Sequence, residues 1–348
     1  MEIHNPSSQG EWLSGAGPEN DIVISSRVRL ARNIKGYPFV PRLKPKVREE
    51  LESLISTALV KTPTPAGRVD YMPLAGAVEL DLEYLVERHL ISRDLAAAQG
   101  ARGVAVGENE VLSVMVEEED HLRLQCLMSG FQLDRIWSLL DSVDSHIDSV
   151  LPYSFHPQFG YLTSCPTNVG TGMRASVMLH LPGLALTSQL DKVFYAVSKI
   201  SLAVRGLYGE GSQAASDLYQ ISNQVTLGKT EAEILANLKS VIPQIIAYER
   251  GARTKLLSDQ RLKTEDRIFR AHGIMRSARQ LTMEECLDHL STLRLGVNLG
   301  LLKDPSIAKL NRLFILSLPG HIQKSRGTPL DAEAQNEARA KLVRETLS

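Results

Sequence analysis

Residues 164–176 read SCPTNVGTGMRAS, and the interpretation of the whole chain depends on this stretch. Proline fixes φ and glycine permits positive φ, so the segment is typical of a tight, specified loop. Cys165 stands among hydroxyl side chains and backbone N–H groups that can hold a thiolate. Arg174 can bind phosphate oxygens through two parallel hydrogen bonds. A small buried cysteine in an ordinary turn needs none of these neighbours, so both residues are candidate functional residues.

Strands are predicted on both sides of this loop by alternating and β-branched segments. The predicted strands are 22–30, two strands within 110–128 around an acidic turn, 161–165, 175–181 and 202–208. The spacing of apolar residues predicts helices at about 45–60 and 190–200. Residues 209–212 are rich in glycine and predict a flexible tip. This part of the chain therefore predicts a domain of mixed α and β structure.

The pattern changes to helix alone in the last third of the chain. Thr230 and Glu233 form a capping box that begins a helix, in which Pro243 predicts a kink or a turn between two helices. Breaks are predicted at Gly296, Pro305 and Pro319–Gly320. We predict a loose lead-in at residues 1–20, a mixed α and β domain at 21–253 and a helical domain at 254–348. Leucine-rich stripes in the last domain favour a homodimer.

The composition excludes several classes of protein. The 348 residues are 43% hydrophobic and 23% charged, which is ordinary for a globular chain of about two domains. The net charge of −1 gives no general attraction to nucleic acid or to an anionic membrane. The chain has neither a secretory signal nor a long apolar run, so we expect a cytoplasmic protein. Cys126, Cys165 and Cys286 are too widely spaced to predict a disulfide framework or a zinc site.

Arginine and carboxylate side chains complete the candidate site. Five arginines at predicted strand ends or in loops fit a polyphosphate cradle: Arg27, Arg29, Arg123, Arg174 and Arg205. The P-loop and protein-kinase motifs do not occur. Glu119 and Asp120 fall at a predicted hairpin tip, and Glu210 falls on a loop flanked by glycines. Two carboxylates and a thiolate suit a guanidinium, which is cationic and is a poor nucleophile until it loses a proton.

Five motifs, in this order, resemble the catalytic domain of the phosphagen (guanidino) kinases. They are SSRVR at 25–29, EEDHLR at 118–123, CPTNVGT at 165–171, RASV at 174–177 and RGLYGE at 205–210. The resemblance covers about residues 21–253. It is greatest with the branch of the family that phosphorylates arginine in bacterial proteins. It implies an α+β fold in which helices flank an antiparallel sheet, followed here by a helical domain.

The resemblance also implies roles for particular residues. The ATP-binding residues would be Ser25, Ser26, Arg27, Val28, Arg29, His89, Arg123, Arg174, Ala175, Ser176, Val177, Met178, Arg205, Gly206, Leu207, Tyr208, Gly209 and Glu210. The catalytic residues would be Glu119, Glu210, Cys165 and Asp120. The two glutamates would clamp the guanidinium, one of them acting as the base, and Cys165 would help to position it as a thiolate. Mg²⁺ would bridge oxygens of ATP without a protein cage.

One regulatory feature of that branch is incomplete here. Its members carry an Arg-Asp-x-x-Arg-Ala motif associated with the binding of phosphoarginine as an allosteric signal. The corresponding residues of this chain are QNEARA at 335–340, which retain Arg339 but not the first arginine or the aspartate. A phosphate pocket that lacks an arginine lacks a two-pronged donor. We therefore expect a weak or absent response to phosphoarginine.

The resemblance predicts an ATP-dependent protein-arginine kinase. Small-molecule members of the family have a helical domain before the first strand, whereas here a strand begins near residue 21 and the extra domain follows. The branch implies protein substrates bearing arginine, a McsA-type activator, a CtsR-type heat-shock repressor and a Clp protease as partners, in stress response and protein quality control. A kinase of free arginine, or an idle adaptor with a kinase fold, is the alternative. The intact set of Glu119, Cys165 and Glu210 argues against the adaptor.

Overall fold

The computed structural model describes residues 10–61, 64–206 and 215–348. Its strands are β1 (Val23–Arg32), β2 (Val69–Pro73), β3 (Gly103–Gly107), β4 (Leu112–Val116), β5 (Leu122–Ser129), β6 (Phe155–His156), β7 (Gly160–Tyr161), β8 (Met173–His180), β9 (Leu202–Gly206) and β10 (Leu218–Asn223). Eight of them form one sheet in the order β2-β3-β4-β5-β1-β8-β10-β9, while β6 and β7 form a separate hairpin. All the pairings are antiparallel. The predicted fold class is confirmed.

Helices flank the sheet and make up every element described after Asn223. They are α1 (Pro45–Lys61), α2 (Glu79–Glu87), α3 (Arg93–Ala97), α4 (Leu133–Val150), α5 (Pro182–Leu186), α6 (Leu190–Ser198), α7 (Glu231–Asp259), α8 (Arg261–Ser277), α9 (Met283–Asn298), α10 (Ile307–Leu316), α11 (Pro319–Arg326) and α12 (Ala332–Leu347). Among the residues that the structure describes, no helix is both long and apolar enough to cross a membrane.

The sheet has one apolar face and one polar face because side chains alternate along each strand. Val28 and Leu30 of β1 are fully buried in the main core, with Ala175 and Val177 of β8. Helices α4 and α7 pack on this face. The intervening residues of β1, which include Arg27 and Arg29, therefore face the other way.

Neither Pro243 nor Gly296 separates two helices. Helix α7 begins at the predicted capping box and continues through Pro243 as a single helix to Asp259. Burial of Ile242, Ile245 and their neighbours against the sheet offsets the roughly 3 kcal/mol that an interior proline costs. Gly296 lies inside α9, where an added Cβ would come within 2.6 Å of Ile268 on α8. This glycine permits close helix packing, so the prediction that it ends a helix is wrong.

The lead-in is packed and not loose where it is described. Trp12 and Leu13 are 5% and 8% exposed and belong to an apolar cluster with the C-terminal helices. The Ser129 N–H donates to the Glu11 carboxylate over 2.8 Å, which fixes the lead-in to the end of β5. The prediction of a loose segment at 1–20 is therefore wrong for residues 10–20. The glycine, proline and polar residues of this segment predicted a loop, so the burial of Trp12 and Leu13 was not expected.

The C-terminal helices pack against one end of the sheet. Ile24, Leu127 and Leu218 of the sheet share an apolar cluster with Phe314 and Leu318. Helix α7 passes without interruption through the predicted domain boundary near residue 253. That boundary stays a prediction.

Candidate active site

Strands β1, β5, β8 and β9 bring the predicted arginines to the polar face of the sheet. Arg29 of β1 lies directly opposite Arg174 of β8, and Arg27 lies opposite Ser176. Ala31 lies opposite Arg123 of β5, which puts that arginine on the same face, and Arg205 of β9 lies opposite Gln220. Directly opposed residues in an antiparallel pair share a face. Arg27, Arg29, Arg174 and Arg205 line a cavity of about 1030 Å³.

The arginine charges of this face lie close together and oppose one another. Burial, together with Arg123 and Arg174, lowers the pKa of Arg27 to about 10. Burial and the same neighbours hold the pKa of Arg29 well below its usual value, and its Nε has no hydrogen-bond partner among the described residues. Arg27 donates to Gln220 over 2.9 Å, and Arg174 donates to Ser222 over 3.1 Å. Such a group of arginines fits a polyphosphate, whose oxygens guanidinium groups bind in pairs.

One carboxylate, Glu118, contacts the edge of this arginine group. Arg123 Nη1 lies 2.6 Å from Glu118 Oε2, and Ser92 also donates to this carboxylate. Burial opposes ionisation of Glu118, but Arg123 and the hydrogen bonds from Ser92 and the Glu119 N–H hold the pKa of its carboxyl below its usual value. No role for Glu118 was predicted from the sequence. Its presence in the same motif as Arg123 was the available signal.

Four of the residues predicted to bind ATP have side chains on the opposite face. Val28, Ala175 and Val177 are fully buried in the apolar core, and the Ser26 hydroxyl donates to the Gly130 carbonyl. These four side chains point away from the cavity because each residue is adjacent, along its strand, to a residue whose side chain faces the cavity. Direct side-chain contact with a nucleotide does not fit these four positions. Besides the four arginines, the members of the set that line the cavity are Ser25, His89, Ser176, Met178 and Gly206.

His89 lines the same cavity in an unusual backbone conformation. Its φ is 60°, and its ring lies 5.1 Å from that of Trp12. Burial and the nearby Arg27 and Arg29 lower the pKa of His89 to about 3, so the ring is neutral at physiological pH. It can therefore contact a nucleotide by stacking or by a neutral hydrogen bond. Leu207, Tyr208, Gly209 and Glu210 lie outside the described residues.

Asp120 connects the tip of the β4–β5 hairpin to the cysteine loop. Its Oδ1 accepts hydrogen bonds from the Ser164 N–H and from Asn33 Nδ2, both over 2.6 Å. The residue is only 2% exposed. Asp120 thus holds two segments together and has little access to a substrate. Asn33, which the sequence analysis did not identify, anchors it.

Cys165 and Glu119 meet where these two segments touch. Cys165 Sγ lies 3.0 Å from Thr167 Oγ1, and Asn168 Nδ2 donates to Glu119 Oε2 over 3.4 Å. Burial and the adjacent Asp120 raise the pKa of Glu119, against the opposing effects of Arg123 and a hydrogen bond from Cys165. The predicted strand at 161–165 is shorter than expected, since β7 ends at Tyr161 and a 3₁₀ turn at Pro166–Asn168 follows Cys165. An irregular loop lets the thiol turn toward the hairpin tip.

Arg339 of α12 is used internally. Its Nε donates to the Ser317 carbonyl over 2.7 Å, and its Nη1 donates to the Leu281 carbonyl and to Asn336 Oδ1, each over 2.8 Å. The residue is 2% exposed. Its guanidinium therefore ties α12 to the ends of neighbouring helices.

Two family descriptions match the chain. Residues 50–252 match ATP:guanido phosphotransferase, C-terminal catalytic domain, and residues 261–348 match the protein-arginine kinase McsB C-terminal domain. The chain belongs to the ATP:guanido phosphotransferase family, which confirms the family predicted from the motifs.

Two relatives that match nearly the full length of the chain are protein-arginine kinases. A protein-arginine kinase of Desulforamulus reducens is 44% identical, over 99% of this chain and 97% of the relative. A protein-arginine kinase of Halothermothrix orenii is also 44% identical, over 97% of this chain and 96% of the relative. The duplicated taurocyamine kinase of Schistosoma mansoni has a similar structure, with a TM-score of 0.61 and 30% identity. That match covers 71% of this chain and 35% of the duplicated enzyme.

Proposed function

We propose that this protein is an ATP-dependent kinase that phosphorylates arginine side chains in other proteins. The observation that carries the proposal is that the arginine face lies next to the Glu119–Cys165 site: Glu118, which binds Arg123, immediately precedes Glu119. The two sites supply what each half of the reaction requires: cations for the phosphates, and a carboxylate with a thiol for a guanidinium. The full-length relatives that bear the name protein-arginine kinase support the choice of acceptor.

The transfer needs alignment and one proton acceptor. A guanidinium nitrogen attacks the γ-phosphorus, the N–P bond forms, and the bond to the oxygen of ADP breaks. Arg29, Arg123 and Arg174 would stabilise the charge on the transferring group. The proton leaves the nitrogen to Glu119 or Glu210. A raised pKa suits Glu119 to accept it near neutral pH, and the choice between the two glutamates stays open.

Cys165 and Asp120 would not accept the proton but would hold other groups in position. The thiol lies within hydrogen-bonding contact of Glu119 and would orient the guanidinium without forming a covalent intermediate. Asp120 would be a positioning residue, because both its known partners belong to the protein framework. ATP would lie along the arginine face. Mg²⁺ would screen the phosphate charges and would be held mainly through phosphate oxygens.

We infer the cellular setting from the family branch. The proposed partners are a McsA-type activator, a CtsR-type repressor that phosphorylation inactivates, and a Clp protease that degrades marked proteins in the cytoplasm. Residues 254–348 would mediate dimerisation and substrate recognition. Sedimentation of the intact protein would test the dimer. The CtsR-type repressor would be tested in purified form: treatment with the kinase and ATP should abolish its binding to operator DNA.

The first test separates protein-bound arginine from free arginine as the substrate. We expect kcat/KM for arginine in a flexible protein segment to exceed that for free arginine by roughly tenfold or more, which needs only about 1.4 kcal/mol of additional binding in the transition state. Backbone and neighbouring side chains of a protein substrate would supply these contacts. Incubation with ATP and Mg²⁺, followed by mapping of phosphoarginine by mass spectrometry, measures both rates. Equal or faster turnover of free arginine would identify a small-molecule kinase.

Free phosphoarginine is expected to leave the rate and the oligomeric state nearly unchanged. Arg339 already donates to two carbonyls and to Asn336, and the charged partners of the family motif are absent from this chain. A phosphate would have to displace those bonds with a single arginine to receive it. Titration of phosphoarginine during turnover is the measurement. Saturable activation that Arg339→Ala removes, in a variant whose fold is intact, would contradict this expectation.

A further inference from the structure

The cavity extends well beyond the arginines and becomes apolar. On the sheet side its far part is lined by Met178 and Leu218. On the other side it is lined by Phe314 and Ile315 of α10 and by Leu318, which precedes α11. The cavity therefore has a part lined by the arginines of the sheet and an apolar part made jointly by the sheet and the C-terminal helices.

The position of the reaction fixes the direction of a bound nucleotide. The Glu119–Cys165 site adjoins the Arg32 end of β1, since Arg32 lies opposite Leu122 and the hairpin tip precedes that residue. The γ-phosphate must reach this end. Ser25, which lies opposite Met178, is four residues away from Arg29 along the strand, or about 13 Å at the usual rise per residue. The base must then lie at the apolar end of the cavity.

We infer that the C-terminal helices form one wall of the adenine subsite, with Phe314 and Leu318 facing Met178 and Leu218 across the base. This inference rests on the use of ATP that the proposed function includes. Apolar walls on both sides of a planar base are the usual composition of such pockets. The wall comes from residues 254–348, which would make the C-terminal region part of the nucleotide site as well as a region for recognition.

Trp12 gives an independent indication that a ligand belongs in this part of the cavity. It lines the cavity and is 5% exposed, and its Nε1 has no hydrogen-bond partner among the described residues. A buried indole N–H normally finds an acceptor. A purine carries ring nitrogens that can accept this hydrogen bond. Inorganic phosphates do not extend into the apolar part and would leave the indole unchanged.

Binding of ATP and of inorganic tripolyphosphate to the full-length protein tests the inference. By calorimetry, we expect Phe314→Leu and Leu318→Ala each to weaken ATP binding at least fivefold and to leave tripolyphosphate binding unchanged. Leu313→Ala is the matched control, because Leu313 is fully buried on the same helix and does not line the cavity. It should change neither affinity. In a Trp137→Phe background, ATP but not tripolyphosphate should change the fluorescence of Trp12.

Each alternative result has a definite meaning. Equal loss of both ligands in the Phe314 and Leu318 variants would show that the helices only support the arginine face, and the inference would fail. Unchanged ATP affinity in folded variants, checked by circular dichroism, would also overturn it. The measurements require no phosphoryl transfer. A protein that shows the expected binding pattern but phosphorylates no arginine would contradict the proposed function and leave the adenine wall in place.

Discussion

Replacement of Glu119 by glutamine is expected to lower kcat by about 10²–10⁴-fold, the usual contribution of a general base. Glutamine keeps the shape of the side chain and can still accept the hydrogen bond from Asn168, but it cannot take the proton. ATP affinity should be almost unaffected, because Glu119 does not line the nucleotide cavity. Steady-state kinetics and equilibrium binding of ATP together make the measurement.

The pH dependence identifies which glutamate is the base. Burial and Asp120 raise the pKa of Glu119 above its usual 4.5. The base works deprotonated, so kcat/KM should be constant above the raised pKa and should fall as the pH decreases through it. Glu119→Gln should remove this acidic limb from the residual activity if Glu119 is the base. An unchanged limb that Glu210→Gln removes would assign the base to Glu210.

The control for both measurements is Glu50→Gln. Glu50 is an exposed residue of α1, and its replacement should leave rate and pH profile as they are. A Glu119→Gln protein that retains most of the normal kcat would remove Glu119 from the catalytic set altogether. The arrangement of Cys165, Asn168 and the hairpin tip would then need another explanation.

The arginines were predicted at strand ends or in loops, whereas Arg27 and Arg29 lie within β1, where strand alternation is a local signal. Alternation within β1 places Arg27 and Arg29 on one side, and the alternation predicted for the 110–128 hairpin does the same for Arg123. Strand register is not local, so the sequence could not show that Arg29 lies opposite Arg174. The reason is different for Ser26, Val28, Ala175 and Val177, which were predicted to bind ATP as members of whole motifs although alternation turns their side chains to the other face. A motif read as a block does not separate the residues that face a ligand from those that face the core.

Contacts between segments that are distant in the chain could not be predicted from the sequence. Asn33 bonds to Asp120, and the cavity wall at Phe314 faces Met178, yet nothing in either local pattern indicates a partner. Trp12 lay in a stretch whose glycines and polar residues predicted no packing. Gly296 read as a helix end, although its function is to let α8 approach. In each case the tertiary partner decides the role of the residue.

Arg29→Met is expected to make the ligand-free protein more stable while nearly eliminating its activity. Arg29 is held close to Arg27, Arg123 and Arg174, and burial with this repulsion depresses its pKa. A depressed pKa of a base means that the folded state disfavours the charge that the side chain carries at neutral pH. Methionine fills similar space without charge, so the free energy of unfolding without ligand should rise by about 0.5–2 kcal/mol. Chemical denaturation measures this change.

The same substitution removes a cation from the transferring phosphoryl group. Arginines at such positions contribute about 10³–10⁵-fold to phosphoryl transfer, so kcat/KM should fall within or near that range. ATP affinity should fall by roughly ten- to a hundredfold, since hydrogen bonds to charged groups contribute about 1.5–3 kcal/mol. Arg312→Met, at an exposed position of α10, is the control and should change neither stability nor rate appreciably. Opposite signs for stability and activity are the decisive result, because a merely structural arginine would lose both together. An Arg29→Met protein that is less stable than the original would mean that the face is already neutralised by the protein itself and has no need of a phosphate.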